Sequence, residues 1–164
     1  MKSPFLLPLL LLVWALPSMA QTRPELRYYA DAYADHYGVP RALVHAIIAQ
    51  ESNWDPRALS NKGAAGLMQL MPATAAEYLV RDRFSVTENL SGGIQYLAYL
   101  MTEFRGEMRL AVAAYYCGPR RIARQGLRFR NSDVVSYVEA VRRRYEIELH
   151  DQANRDIPTP GKGQ

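Results

Sequence analysis

Pro40-Arg41-Ala42-Leu43-Val44-His45-Ala46-Ile47-Ile48-Ala49-Gln50-Glu51-Ser52 is the stretch on which the fold turns. Leu43, Val44, Ile47 and Ile48 recur at helical spacing, and Glu51 is the next position on the same face. A carboxyl in register with a core-facing stripe is desolvated. Desolvation disfavours its ionised form and raises its pKa, which is how a Glu stays protonated near neutral pH and serves as a general acid. The other reading of the position is a Glu at a helix end that turns back to water. Position alone leaves both open.

Working outward, the chain reads as helices joined by short turns. Arg23 to Tyr37 is amphipathic and tyrosine-rich, with Gly38 as a left-handed stop. Pro40 starts the Glu51 helix and Asp55-Pro56 ends it. Asn61 to Gly66, with two glycines, reads as a turn or hairpin. Pro72 opens a helix through about Val80, and another runs from about Thr87 to Phe104 on Leu90, Ile94, Leu97 and Met101. Met108 to Cys117 is nearly all apolar and is expected to be the central buried helix, broken by Gly118-Pro119. Ser132 or Asp133 is expected to cap a last helix to about Leu149. Residues 151–164, and above all the run from Ile157, are expected to be a disordered tail. The expected class is all-α, or mostly α with one small hairpin.

The first twenty residues stand apart. Lys2 precedes an apolar run from Phe5 to Leu16, and Ser18-Met19-Ala20 places small residues at the −3 and −1 positions of a cleavage site. The run is shorter than the ~20 apolar residues of a membrane span and is broken by Pro8 and Pro17. The expectation is a signal peptide over 1–20, cleaved after Ala20, and a periplasmic protein; an uncleaved anchor is the alternative. The catalytic domain is placed at 21–150. The chain carries a formal charge of +4, of which Lys2 supplies one unit. The excess clusters at Arg120, Arg121, Arg124, Arg128 and Arg130 and again at Arg142 to Arg144. Behind an export leader such clusters meet wall or membrane polyanions or are solvated helix faces, and nucleic acid is not expected as a partner. Cys117 is the single cysteine, so no internal disulfide forms. His36, His45 and His150 offer it no catalytic base motif, and no His/Cys cluster has metal-ligand spacing. No cofactor or metal is expected.

Glu51-Ser52-Asn53-Trp54-Asp55-Pro56 leads to Gly63-Ala64-Ala65-Gly66-Leu67-Met68-Gln69-Leu70-Met71-Pro72-Ala73-Thr74-Ala75. A candidate acid thus stands beside a turn where backbone can approach a ligand. Ser60 and Gln69 can hydrogen-bond hydroxyl or acetamido groups, Met71 offers an adaptable apolar wall, and Tyr115 and Tyr137 can face the same cleft. Asp55 is the nearest second carboxyl, but an Asp-Pro at a helix end reads more readily as a stop; Glu77 and Glu88 read as solvated.

These motifs resemble the lytic transglycosylase catalytic domain, of the soluble lytic murein transglycosylase type in glycoside hydrolase family 23, over about Tyr33 to Tyr145. The resemblance implies a lysozyme-like α fold. It also implies cleavage of the β-1,4 bond between N-acetylmuramic acid and N-acetylglucosamine in peptidoglycan strands, leaving a 1,6-anhydromuramoyl end. It makes Glu51 acid and then base, and places Ser60, Gln69 and Met71 along the sugar cleft. Tyr115 matches the tyrosine whose hydroxyl approaches the acid, and Tyr137 a cleft tyrosine on the final helix. The chain departs from the usual Ala-Tyr-Asn-Ala-Gly with Ala114-Tyr115-Tyr116-Cys117-Gly118, and it lacks a Pro-rich run between Arg124 and Ser132. Weaker or narrower activity on bulk wall is the expected consequence. A goose-lysozyme-like hydrolase and a weakly active wall-binding accessory module are the alternatives. By analogy of size, a monomer serving a secretion, conjugation or pilus apparatus is expected.

Overall fold

The computed structural model describes residues 21–155. The expected leader over 1–20 and the end of the expected tail lie outside the described residues. Among those described there are seven α-helices and one 3-10 turn, with no strand beyond two isolated bridges, Leu59 to Ala65 and Ala65 to Leu70. The chain is all-α, as its sequence patterning requires.

Helix α1 (Arg23–Tyr37) starts in a capping box between Thr22 and Glu25 and stops at Gly38, whose φ of 69° is the left-handed turn expected there. Helix α2 (Arg41–Glu51) is buried at every position from Ala42 to Ile48. It is apolar all round, and so it is the central helix, covered chiefly by α7 and α1. Helix α5 (Met108–Cys117), expected in that role, buries only Ala111 to Ala114 and leaves Tyr116 exposed. Two further boundaries differ from expectation. α2 ends at Glu51, before Asp55-Pro56, because Asn53 and Trp54 turn left-handed at φ 51° and 69°. α3 (Pro72–Glu77) ends short of Val80, with Leu79 at φ 58°.

Helix α4 (Val86–Glu103) begins on a Ser85 cap. Gly118-Pro119 ends α5, and Pro119 then opens α6 (Pro119–Gln125), followed by the 3-10 turn Gly126–Arg128. Helix α7 (Ser132–Arg155) is capped one residue earlier than expected. The Asn131 Oδ1 accepts from the backbone N–H groups of Asp133 and Val134, both at 3.1 Å. The helix continues through residues 151–155, so that part of the expected tail is helical.

Three helices are locked by a polar cluster below the site. Arg27 donates to both Glu148 oxygens, at 2.8 and 2.6 Å, and to His45 Nδ1 at 2.9 Å. Burial alone would raise the Glu148 pKa; the Arg27 guanidinium outweighs it and holds that carboxyl low. An accepting Nδ1 puts the His45 proton on Nε2, which faces Asp31 Oδ1 at 2.8 Å in poor alignment, so neither atom has a well-formed hydrogen bond. Burial pushes His45 down toward its neutral form. The Trp54 ring caps the cluster, 5.0 Å from the Arg27 guanidinium and edge-on to His45. Trp54 thereby fixes the chain three residues after Glu51.

The segment after α2 is held by Asn89, buried on α4. Its Oδ1 accepts from Met68 N at 2.8 Å, and its Nδ2 donates to Ala65 O at 3.0 Å and Arg83 O at 2.8 Å. Gly66 lies beneath it at φ 78°; a Cβ there would stand 2.1 Å from Arg83 O. Asn89→Ala leaves Met68 N and Arg83 O without their partner, while Ala65 O keeps its bond from Leu70 N, and should lower stability by about 2–3 kcal/mol. Gly66→Ala should cost at least about 3 kcal/mol, because clash and backbone strain add. Urea unfolding of each variant beside the parent measures both.

Candidate active site

Glu51 is the last residue of α2, where the intrahelical carbonyls run out of partners and the chain must turn. Ser52 secures that turn: its Oγ donates to Ile48 O at 3.2 Å and to Leu67 O at 2.8 Å, tying the helix end to the loop that follows. The carboxyl points inward and meets the last helix. Tyr137 Oη donates to Glu51 Oε1 at 2.5 Å, a short hydrogen bond. Burial raises the Glu51 pKa from 4.5 to about 7, against the Tyr137 hydrogen bond, which lowers it. The carboxyl is therefore half protonated near neutral pH. Tyr137 and Tyr115 are both pushed well above the ordinary phenol range, chiefly by burial and then by Glu51, and stay neutral donors.

The two tyrosine hydroxyls bond different partners, and it is Tyr137 that donates to Glu51. Tyr115 Oη instead donates to Met68 O at 2.8 Å, so it pins the loop whose N–H Asn89 already holds. Gln69, at φ 47°, donates its Nε2 to Ala58 O (3.1 Å) and Gly66 O (3.0 Å). The side-chain amide therefore shapes the turn, and its Oε1 has no protein donor among the described residues. Ser60 Oγ accepts from Ala64 N at 3.0 Å and closes the neighbouring turn. The structure gathers Gln69, Met71 and Tyr115 around one cavity of about 210 Å³, together with Thr74, Tyr96 and Tyr116. Ser60, Glu51 and Tyr137 are not among its lining residues. Met71 is exposed there, as an adaptable wall would be.

Other candidates fall away on contact geometry. Asp55 is exposed, and its Oδ1 accepts from Arg57 N at 2.8 Å in a local turn. Glu88 is not simply solvated as expected: it accepts from the N–H groups of Arg81 and Asp82. Glu77 is exposed. Burial pushes the Cys117 thiol up, against Arg121, which is the opposite of nucleophile activation. Sequence reasoning missed Asn89, Thr74 and Tyr96. Asn89 was findable, since it sits among the apolar stripe of α4 just as Glu51 does in α2.

The family model for the Transglycosylase SLT domain matches residues 28–136. The chain belongs to that family. Similar to this SLT domain are a membrane-bound lytic murein transglycosylase F of Desulfosudis oleivorans, 39% identical over 58% of this chain and 22% of that protein, and the soluble lytic murein transglycosylase of Escherichia coli K12, 32% identical over 66% and 19%. A transglycosylase of Enterobacteria phage PRD1 is 37% identical over 53% of this chain and 32% of the phage protein. The SLT domain thus spans only a fifth to a third of the length of these relatives. Among solved structures, an inactive mutant of lytic transglycosylase Slt from Pseudomonas aeruginosa aligns with TM-score 0.69 at 26% identity, over 82% of this chain and 25% of that one. The 70 kDa soluble lytic transglycosylase of Escherichia coli aligns with TM-score 0.67 at 25% identity, over 76% and 24%. The lysozyme-like fold implied by the resemblance is the fold of this SLT domain.

Because the folded-state pKa of Glu51 lies above its ordinary 4.5, the folded chain holds the extra proton between pH 4.5 and about 7. Stability is then full below about 4.5 and falls as pH rises to about 7. Glu51→Gln removes that loss, so its advantage over the parent should be larger at pH 8 than at pH 5 by roughly 2–3 kcal/mol. Denaturant unfolding of both proteins at the two pH values measures it.

Proposed function

We propose that this SLT domain is an exported peptidoglycan lytic transglycosylase. It cuts the β-1,4 bond between N-acetylmuramic acid and N-acetylglucosamine without water, leaving a 1,6-anhydromuramoyl end. The observation that carries the reading is the half-buried Glu51 carboxyl, bonded by Tyr137 at 2.5 Å, with its pKa raised by desolvation to about 7. Family membership and the lytic murein transglycosylases among the similar proteins support it.

Protonated Glu51 gives its proton to the glycosidic oxygen as the bond to C1 of the muramic residue breaks. The muramic N-acetyl group stabilises the oxocarbenium-like centre from within the substrate. The Glu51 carboxylate then takes the proton of the C6 hydroxyl, whose oxygen bonds to C1 and closes the anhydro ring. Glu51 ends as it began, protonated. A two-carboxylate glycosidase needs its partner about 5–5.5 Å away for retention or about 6.5–9.5 Å for inversion. Among the described residues, burial and Tyr137 account for the Glu51 pKa and no carboxylate contributes, so a cycle with one carboxyl fits the site better. Gln69, Met71 and Tyr115 line a cavity of which Glu51 is not a lining residue, and in this reading the flanking sugar packs there against Met71 and meets the Gln69 Oε1. Export rests on the leader pattern before Gln21; among the described residues no helix is long and apolar enough to cross a membrane.

Mass spectrometry of soluble products from purified peptidoglycan tests this. The parent should release anhydromuropeptides and Glu51→Gln none. Reducing-end products would mean a hydrolase. No products with wall binding retained would mean an accessory module. For the active protein, kcat/KM should fall as pH rises through about 7, and Tyr137→Phe, which removes the contact that lowers the Glu51 pKa, should move that fall to higher pH.

A further inference from the structure

Tyr116 stands where the sequence departs from the pattern it otherwise follows, and the structure gives it a specific neighbour. Its ring stacks on that of Tyr137 at a centroid distance of 4.6 Å and an interplanar angle of 24°. Burial deepens inward through the stack. Tyr116 is 45% exposed, and Tyr137 is 7% exposed beneath it with its hydroxyl on the Glu51 carboxyl. Tyr116 also lines the cavity shared by Gln69, Met71 and Tyr115. It is therefore the outer layer between that cavity and the acid's hydrogen-bond donor.

We propose that Tyr116 acts on Glu51 through Tyr137: its ring covers the Tyr137 ring, whose hydroxyl bonds the carboxyl, and keeps water from that pair on the cavity side. An asparagine in this place could hydrogen-bond a sugar but could not cover an aromatic face. A stacked aromatic pair gains beyond its buried area, which favours the Tyr116 ring lying over that of Tyr137. The groups that interact with Glu51 are Tyr137 from α7 and Tyr115 from α5, both neutral phenols; Tyr116 acts on Tyr137 from α5. Among the described residues no charged side chain contributes, so the polarity of the surroundings governs the Glu51 proton, and removal of an apolar cover acts on it directly.

The inference rests on the proposed acid role of Glu51, and its test has one readout that needs no turnover. Tyr116→Asn should move the alkaline fall of kcat/KM to lower pH by about one unit, by readmitting water to the carboxyl. Tyr116→Phe, which keeps the ring, should leave that fall where the parent has it. In parallel, the stability gained on adding Glu51→Gln at pH 8 should shrink in the Tyr116→Asn background and stay full in the Tyr116→Phe background. Should Tyr116→Asn not fold, Tyr116→Ala removes the same ring and decides in the same way. Both readouts unchanged in the ring-deleted protein would overturn the proposal, as would equal shifts in Tyr116→Phe. If no variant or parent turns over peptidoglycan, the functional reading fails while the pH 8 stability comparison still decides the role of Tyr116.

Discussion

A half-buried carboxyl at the end of the most buried helix, bonded by one phenol, is the constraint around which this domain is arranged. Burial raises the Glu51 pKa to about 7, and the same burial makes the ionised state expensive for the fold. Much of the surrounding structure serves to make that placement rigid. α2 is packed on all sides from Ala42 to Ile48, so the position of its last residue is set by the core itself. The Arg27, His45 and Glu148 cluster joins α1, α2 and α7 and seats Trp54. Tyr137 arrives from α7, whose own attachment to α2 is the most extensive helix contact in the molecule.

The loop opposite the acid is built with equal care. Leu67 accepts from Ser52, Met68 offers its N–H to Asn89 and its carbonyl to Tyr115, and Gln69 folds its amide back on Ala58 and Gly66. Four side chains from three directions thus hold consecutive backbone positions. Loop atoms placed this way lose little further entropy when a ligand arrives, which is how a site held in one geometry lowers the cost of binding and reaction. The left-handed φ angles at Asn53, Trp54 and Gln69 are local strain that these contacts hold in place.

Helices were legible in the sequence where caps and stripe agreed. α1 and α5 begin and end where the sequence places them, and α4 differs by one residue at each end, because Gly38, Ser85 and Gly118 mark real boundaries. α6 was hidden: Pro119 reads as a breaker after Gly118, yet at a first helical position it starts a helix, and Ile122 is the one buried residue to betray it. The α2 end was misplaced because left-handed Asn53 and Trp54 are fixed by tertiary contacts with Arg23, Arg27 and His45. The inward placement of Glu51 was legible from its register. Which tyrosine hydroxyl bonds it was not, since sequence puts two tyrosines near a cleft without saying which reaches that carboxyl.

The most direct measurement is a pH titration of the Glu51 carboxyl carbon by 13C NMR in the full chain, its resonance assigned by its loss in Glu51→Gln. The expected midpoint is about 7. A midpoint near the ordinary 4.5 would contradict the account, because the carboxyl would then be ionised at neutral pH and could not serve as the acid.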